Sequence, residues 1–295
     1  MQNYVITTCS TADVNPEYLK SRDVEYLPFS FYLDGKEYKD DMGVTMSHRQ
    51  FYDAMKNGAS TSTSQPNVDE IKDFFKPYLE DGKDVIHLML SSGLSGAMTS
   101  AKIAAEELKE EYPNNKVYVV DSLGASSGMA VLVDNMAKLR DEGMGIEELY
   151  EWTEENKLNV HHWFFTTDLT YFVKGGRISK VAGWFGTILK ICPLLNVDIN
   201  GKLIPREKIR GKSNVIKQIV KKMEENALDS LDYNGTCLIS HSDAYEDAKA
   251  VKDIIEEKFP NLKGKIEINS IGTTIGSHAG PGTVALFFMG KKRED

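Results

Sequence analysis

Short apolar runs alternate along this chain with longer segments in which apolar residues recur at helical spacing. In the first half the runs are 4–7, 85–90 and 116–120. Ala97, Ala101, Ala104, Ala105 and Leu108 share one face of a segment predicted as a helix over 97–110, and further helices are predicted over 47–55, 68–79 and 128–141. An extended stretch at 26–33 turns at Asp34-Gly35, and 61–66 reads as a polar loop. Strands alternating with helices of about 10 to 15 residues imply βαβ units around a mostly parallel sheet. Ligands of such sheets sit beyond the carboxyl ends of the strands, where the hydroxyl-rich turns of this half are expected to fall.

The second half has a different texture. A bulky strand is predicted at 161–165, then a segment over 169–177 broken by Gly175-Gly176, then a strongly apolar stretch over 184–195. Asn200-Gly201 between two apolar runs signals a hairpin. Segments 237–240, 243–258 and 265–270 repeat the strand–helix–strand theme. His278-Ala279-Gly280-Pro281-Gly282 reads as a rigid loop before a buried strand at Val284–Met289. A charged helix gives way to the aromatic strand near 156–159, so the expected domains are 1–158 and a smaller one at 159–295.

A length of 295 residues supports two cores, and 41% hydrophobic with 27% charged residues describes a globular chain. Residues 1–6 have neither a basic nor a long apolar region of the kind a secretory signal carries, and no stretch reaches the roughly 20 apolar residues of a membrane span, so a cytoplasmic location is expected. Cys9, Cys192 and Cys237 are odd in number and far apart, which indicates neither a disulfide framework nor a zinc site. A net charge of -9 argues against nucleic acid as a partner. One segment runs against that acidity: Arg206, Lys208, Arg210, Lys212, Lys217, Lys221 and Lys222 face a single acid, Glu207. With Ser213 as N-cap and Ile216, Ile219, Val220 and Met223 on one face, part of this run is the wet side of an amphipathic helix. The alternative is a docking surface, or an arginine that reaches an anion.

The candidate chemistry lies in two hydroxyl-rich stretches, Thr63-Ser64-Gln65-Pro66 and Ser91-Ser92-Gly93-Leu94-Ser95-Gly96. The second joins a strand to a helix, where free N–H groups and the helix dipole favour a small anion such as a carboxylate or phosphate. Ordinary capping serines are the plainer reading of either stretch alone. A serine hydrolase or other small-anion enzyme is the alternative class, with Ser95 as nucleophile and His278 as base, although Gly93-Leu94-Ser95-Gly96-Ala97 breaks the G-x-S-x-G spacing. No phosphate-binding loop of the G-x-x-x-x-G-K-[ST] or G-x-G-x-x-G type occurs. Neighbours on a strand point to opposite faces, so His161-His162 is a poor metal site.

Taken in order, Ser10-Thr11-Ala12-Asp13, Thr63-Ser64-Gln65-Pro66, Ser91-Ser92-Gly93-Leu94-Ser95-Gly96, Asp121-Ser122, Lys174-Gly175-Gly176-Arg177-Ile178-Ser179 and His278-Ala279-Gly280-Pro281-Gly282 make the chain resemble the DegV family of bacterial fatty-acid-binding proteins. The resemblance implies a two-domain α/β fold, with a mostly parallel sheet in the N-terminal domain and a long-chain fatty acid held between the domains. It further implies a non-catalytic carrier, without cofactor or metal, that presents the carboxylate to a fatty acid kinase and carries fatty acid or acyl phosphate towards phospholipid synthesis. Expected partners are therefore the fatty acid, that kinase and, transiently, a membrane surface. By the same resemblance Thr63, Ser64, Ser92, Gly93 and Ser95 bind the carboxylate with His278 beside them. Arg177 and either Arg206 or Arg210 are the supporting or partner-facing cations. Thr8-Cys9 stands where the family usually has an aspartate before Ser10, so that turn is assigned no role. An acyl tail of about 16 carbons gains roughly 0.8 kcal/mol per buried CH₂. The tail should then set affinity and the hydroxyls orientation, with Phe172, Val173, Trp184, Phe185, Ile188 and Leu189 as tunnel or core.

Overall fold

The structure is a computed structural model and describes residues 3–179 and 191–294. In chain order the first half comprises β1 (Tyr4–Cys9), α1 (Pro16–Lys20), β2 (Val24–Leu27), β3 (Ser30–Leu33), β4 (Lys36–Lys39), α2 (His48–Lys56), β5 (Thr61–Ser64), α3 (Val68–Glu80), β6 (Asp84–Met89), α4 (Ala97–Glu111), β7 (Val117–Asp121), α5 (Ser127–Asp141) and α6 (Ile146–Asn156). Strands β2-β1-β6-β7 form a parallel sheet in that order. Residues 85–89 of β6 are all buried, as a parallel strand covered on both faces requires. Ser47 with Gln50 and Asn67 with Glu70 form capping boxes that start α2 and α3, and the alanine face of α4 packs into the core.

The second half comprises β8 (Val160–Phe165), α7 (Thr170–Lys174), β9 (Ile191–Val197), β10 (Leu203–Arg210), α8 (Lys212–Asn226), β11 (Cys237–His241), α9 (Tyr245–Lys258), β12 (Glu267–Ser270), α10 (Thr273–Ala279) and β13 (Val284–Met289). Its sheet has the order β10-β9-β8-β13-β11-β12. The β11–α9–β12 unit is parallel, as the repeated theme predicts, while β8, β9, β10 and β13 pair antiparallel. The predicted Asn200-Gly201 hairpin joins β9 to β10. Its turn is held by Asp198 Oδ1, which accepts the N–H groups of Asn200 and Lys202 at 2.9 and 2.8 Å. Helix α5 packs against β1 on one side and against β8, β11 and β13 on the other, and a single apolar core runs through both sheets.

Three local expectations change. Residues 61–64 are not loop but strand β5, in a small antiparallel sheet of order β4-β3-β5, with Phe31 opposite Thr63 and Ser30 opposite Ser64. Thr63 and Ser64 therefore belong to a separate small sheet, which sits against the turns that follow β1 and β6: Ser10 Oγ accepts the Phe29 N–H before β3, and Gln65 Oε1 accepts from Ser95 Oγ. The basic run is split: Arg206, Lys208 and Arg210 ride on β10, and α8 begins at Lys212 after Gly211 at φ 90°, so Ser213 is inside the helix rather than its cap. Ile216, Ile219, Val220 and Met223 are its buried face, as the spacing predicts. His278 lies in the last turn of α10 instead of a loop, and Gly280, at φ 66°, ends that helix. Of the expected tunnel residues, Trp184, Phe185, Ile188 and Leu189 lie outside the described residues.

Candidate functional site

A cavity of about 350 Å³ lies between the two large sheets and the small one. Its apolar wall comes from Leu90 after β6, Phe164 on β8, Phe172 on α7, and Ala285 and Phe287 on β13. Polar side chains come from Thr63, Ser64 and Gln65 on β5 and its exit, Ser95 in the turn before α4, and Arg177 and His278 in the second half, and Ser126, His162, Thr274 and Thr283 also line it.

Thr63 Oγ1 and His278 Nε2 are 2.8 Å apart. His278 Nδ1 is buried without a partner among the described residues, and a Cβ on Gly175 would lie 2.3 Å from it, so Gly175 makes room for the ring. A bare nitrogen lone pair is easier to leave unpaired there than an N–H. The proton then sits on Nε2, which donates to Thr63 and frees the threonine O–H to turn towards a ligand. Burial, and next the Arg177 charge, push His278 down to about 4, so at neutral pH the ring is uncharged. Arg177 donates from Nε to the Leu94 carbonyl at 3.1 Å, which ties the segment after α7 to the Ser91–Gly96 turn, and burial lowers its own pKa. Ser95 Oγ accepts the Ala97 N–H at 3.2 Å at the start of α4 and donates to Gln65 Oε1 at 3.2 Å. The head of the cavity thus presents hydroxyl donors, a neutral imidazole and a guanidinium, a set that suits a carboxylate.

Thr63, Ser64, Ser95, Arg177 and His278 come together here, whereas four other expected residues do not. Ser92 is exposed, and its N–H donates to Asp121 Oδ1 at 3.1 Å. Gly93 serves the hairpin tip: a Cβ there would lie 2.6 Å from the Asn200 carbonyl oxygen and 2.7 Å from that of Gly201. Ser91 Oγ donates to the Gly201 carbonyl at 2.8 Å and accepts the Gly93 N–H at 3.1 Å. Neither Ser92 nor Gly93 lines the cavity: Ser92 faces solvent with its N–H on the Asp121 carboxylate, and Gly93 packs against the backbone of the hairpin tip. Arg206 is exposed on the outer side of the six-stranded sheet, its Nε 2.8 Å from Asn196 Oδ1, in a cleft with Trp163 and Lys291. Arg210 is exposed at the end of β10.

The nucleophile–base contact of a serine hydrolase is not formed among the described residues, where His278 pairs with Thr63 and its Nδ1 has no orienting partner. The adjacent histidines do point apart. His161 stacks on Phe288 and bonds the Lys291 carbonyl, while His162 meets Phe287 edge-on and lines the cavity.

Other contributors lie beyond what motif reading found. Gln65 follows directly on Thr63-Ser64 and was legible only as part of that polar run. The Ser10–Asp13 turn does support the site: Ser10 Oγ accepts the Phe29 N–H at 3.1 Å, and Asp13 Oδ1 accepts the Gly272 N–H at 2.9 Å. Arg293 is buried, and its guanidinium donates to the carbonyls of Val197, Asp198 and Leu123 at 2.9 to 3.1 Å, fixing the base of the hairpin whose tip rests on Gly93.

The chain matches relatives end to end. A DegV domain-containing protein of Clostridium perfringens is 36% identical over 294 residues, covering all of both chains. Among solved structures, a Thermotoga maritima protein described as revealing fatty acid binding function is 28% identical, with a TM-score of 0.83 over 98% of this chain and 100% of that one. A protein of Eubacterium ventriosum described as stearic acid-binding is 25% identical, with a TM-score of 0.83 over 98% and 99%. The family model described as "Uncharacterised protein, DegV family" matches residues 3–291, and the chain belongs to the DegV family.

Proposed function

We propose that this protein binds a long-chain fatty acid between an N-terminal domain, 1–158, and a C-terminal domain, 159–295, with Thr63, Ser64, Ser95 and His278 on the carboxylate. The observation that carries this reading is an apolar-walled cavity that is lined by the hydrogen-bonded Thr63–His278 pair together with Ser64, Ser95 and Arg177. An acyl chain of about 16 carbons gains on the order of 10 kcal/mol from burial of its tail. Taking its ionised head out of water costs several kcal/mol, which two or three hydrogen bonds to the charged group, each about 1.5 to 3 kcal/mol, offset. Related proteins described as binding fatty acid and stearic acid support the same reading.

In this reading the protein is a carrier rather than an enzyme. It works in the cytoplasm, where it presents the carboxylate to a fatty acid kinase. Arg177, next to His278, lies where charge develops on an acyl phosphate, and Arg206 and Arg210 are exposed cations available to an acidic partner. The test of binding is thermal stabilisation of delipidated protein by fatty acids of about 12 to 20 carbons, which mass action requires of a tight ligand. No shift with any of them ends the fatty acid reading. The presentation role is tested by kinase-dependent acyl-phosphate formation at saturating fatty acid. Unchanged rates in Arg177→Ala and Arg210→Ala end that role and leave binding intact.

A further inference from the structure

Helix α10 carries His278 to the cavity, but it is only seven residues long, and an isolated helix of that length does not hold itself together in water. Its position therefore depends on what grips it. The grip comes from the first quarter of the chain. Asp13 Oδ1 accepts the Gly272 N–H at 2.9 Å, Asp40 Oδ2 accepts the Thr274 N–H at 3.1 Å, and the Tyr52 O–H donates to the Ile271 carbonyl at 2.8 Å. Asp13 and Asp40 are 2% and 1% exposed, and neither forms an ion pair with a lysine or arginine among the described residues. Gly272 admits them, since a Cβ there would stand 2.6 Å from Asp13 Oδ1. Two carboxyl groups buried without a cation are costly, so their place calls for a reason beyond packing.

The topology supplies one. Asp40 directly follows β4, in the same small sheet as β5, and Asp40 N–H donates to the Phe29 carbonyl at 2.8 Å just before β3. The sheet that holds Thr63 is thereby bonded, through Asp40, to the start of the helix that holds His278. Thr274 and His278 are four residues apart on one face of α10, and both line the cavity.

We propose that Asp40, seconded by Asp13 and Tyr52, is a positioning residue for head-group recognition: it locks α10 to the small sheet, fixes His278 against Thr63, and so sets how a carboxylate is held. The proposal rests on the fatty acid reading, and it separates the head of the ligand from the tail. Loosening the clasp should weaken recognition of the carboxylate while leaving burial of the chain as it was.

The experiment compares palmitate with hexadecanol by calorimetric titration of delipidated protein, with melting temperature and near-ultraviolet circular dichroism recorded for each variant. Wild type is expected to prefer the acid. Asp40→Ala should lower palmitate affinity by about tenfold and hexadecanol affinity by less than about twofold, and Asp40→Asn, which keeps an oxygen acceptor, should recover most of the loss. Where Asp40→Ala does not fold, Tyr52→Phe removes only the hydroxyl on Ile271 and should show the same split at about threefold. The ring nitrogen shifts of His278 report the Thr63 bond directly and should change in Asp40→Ala but not in Asp40→Asn. Equal losses for acid and alcohol, or a full acid preference in every variant, overturn the clasp while the fatty acid reading stands. No acid preference in the wild type overturns that reading itself.

Discussion

Residues 61–64 and 91–96 carry the same kinds of side chain and reach the same cavity, but they are held in opposite ways. On β5 the backbone ladder with β3 fixes the chain, so Thr63 keeps its hydroxyl for His278 and the cavity. In the turn before α4 the hydroxyls themselves do much of the holding. Ser91 is spent on Gly201 and Gly93, and Ser95 alone of the three serines lines the cavity, with part of its capacity used on Ala97. A hydroxyl is available to a ligand to the extent that something else fixes the backbone around it.

The largest expected effect concerns the partner of β5. His278 takes up a proton near pH 6.5 in an unfolded chain but only near 4 in the folded protein. The unfolded chain thus binds the extra proton first, so stability is intact above about pH 6.5 and falls as pH drops towards 4, by about 3 kcal/mol from this residue. Urea unfolding of unliganded protein at pH 7 and pH 4 should show a steeper loss for wild type than for His278→Gln. Buried His87, pushed down to about 3, adds acid sensitivity common to both proteins. Matching losses would mean that the Thr63–His278 pair is not the acid-sensitive one.

Next is the turn. Gly93→Ala places a methyl group against two backbone carbonyls of the hairpin tip, neither of which is a flexible side-chain end, and should cost about 2 kcal/mol of stability. Chemical denaturation checks it, and an unaffected midpoint would show that the hairpin is not docked there. Thr63→Ala, which takes the acceptor from the His278 Nε2–H, should cost about 1 kcal/mol of stability and weaken fatty acid binding by about 1.5 kcal/mol, with affinity for the methyl ester unchanged. Equal losses for acid and ester would remove Thr63 from the carboxylate. The smallest effect belongs to Ser92→Ala, expected within about 0.5 kcal/mol on both stability and binding because its side chain is exposed. A loss as large as that of Thr63→Ala would restore Ser92 to the site.

Much of the frame was legible in the sequence. The alternation of apolar runs and helical faces marks β1, β6, β7, α3, α4 and α5, and Asn200-Gly201 marks the hairpin, because burial on one face or both imposes a period on residues close in sequence. The order of the motifs also indicated which half would supply hydroxyls and which the histidine. What the tertiary structure alone decided are the features whose cause lies far along the chain. Strand β5 is four polar residues with no apolar period, and it is a strand because β3 offers it a ladder. Helix α10 is too short to stand alone and is assembled by Asp13, Asp40 and Tyr52, more than 200 residues earlier. Gly93 reads as a ligand-cradling glycine until Asn200 and Gly201 are seen to fill the space its missing side chain leaves. Local periodicity records which face a segment buries, but which remote backbone it meets there is fixed only when the chain closes on itself.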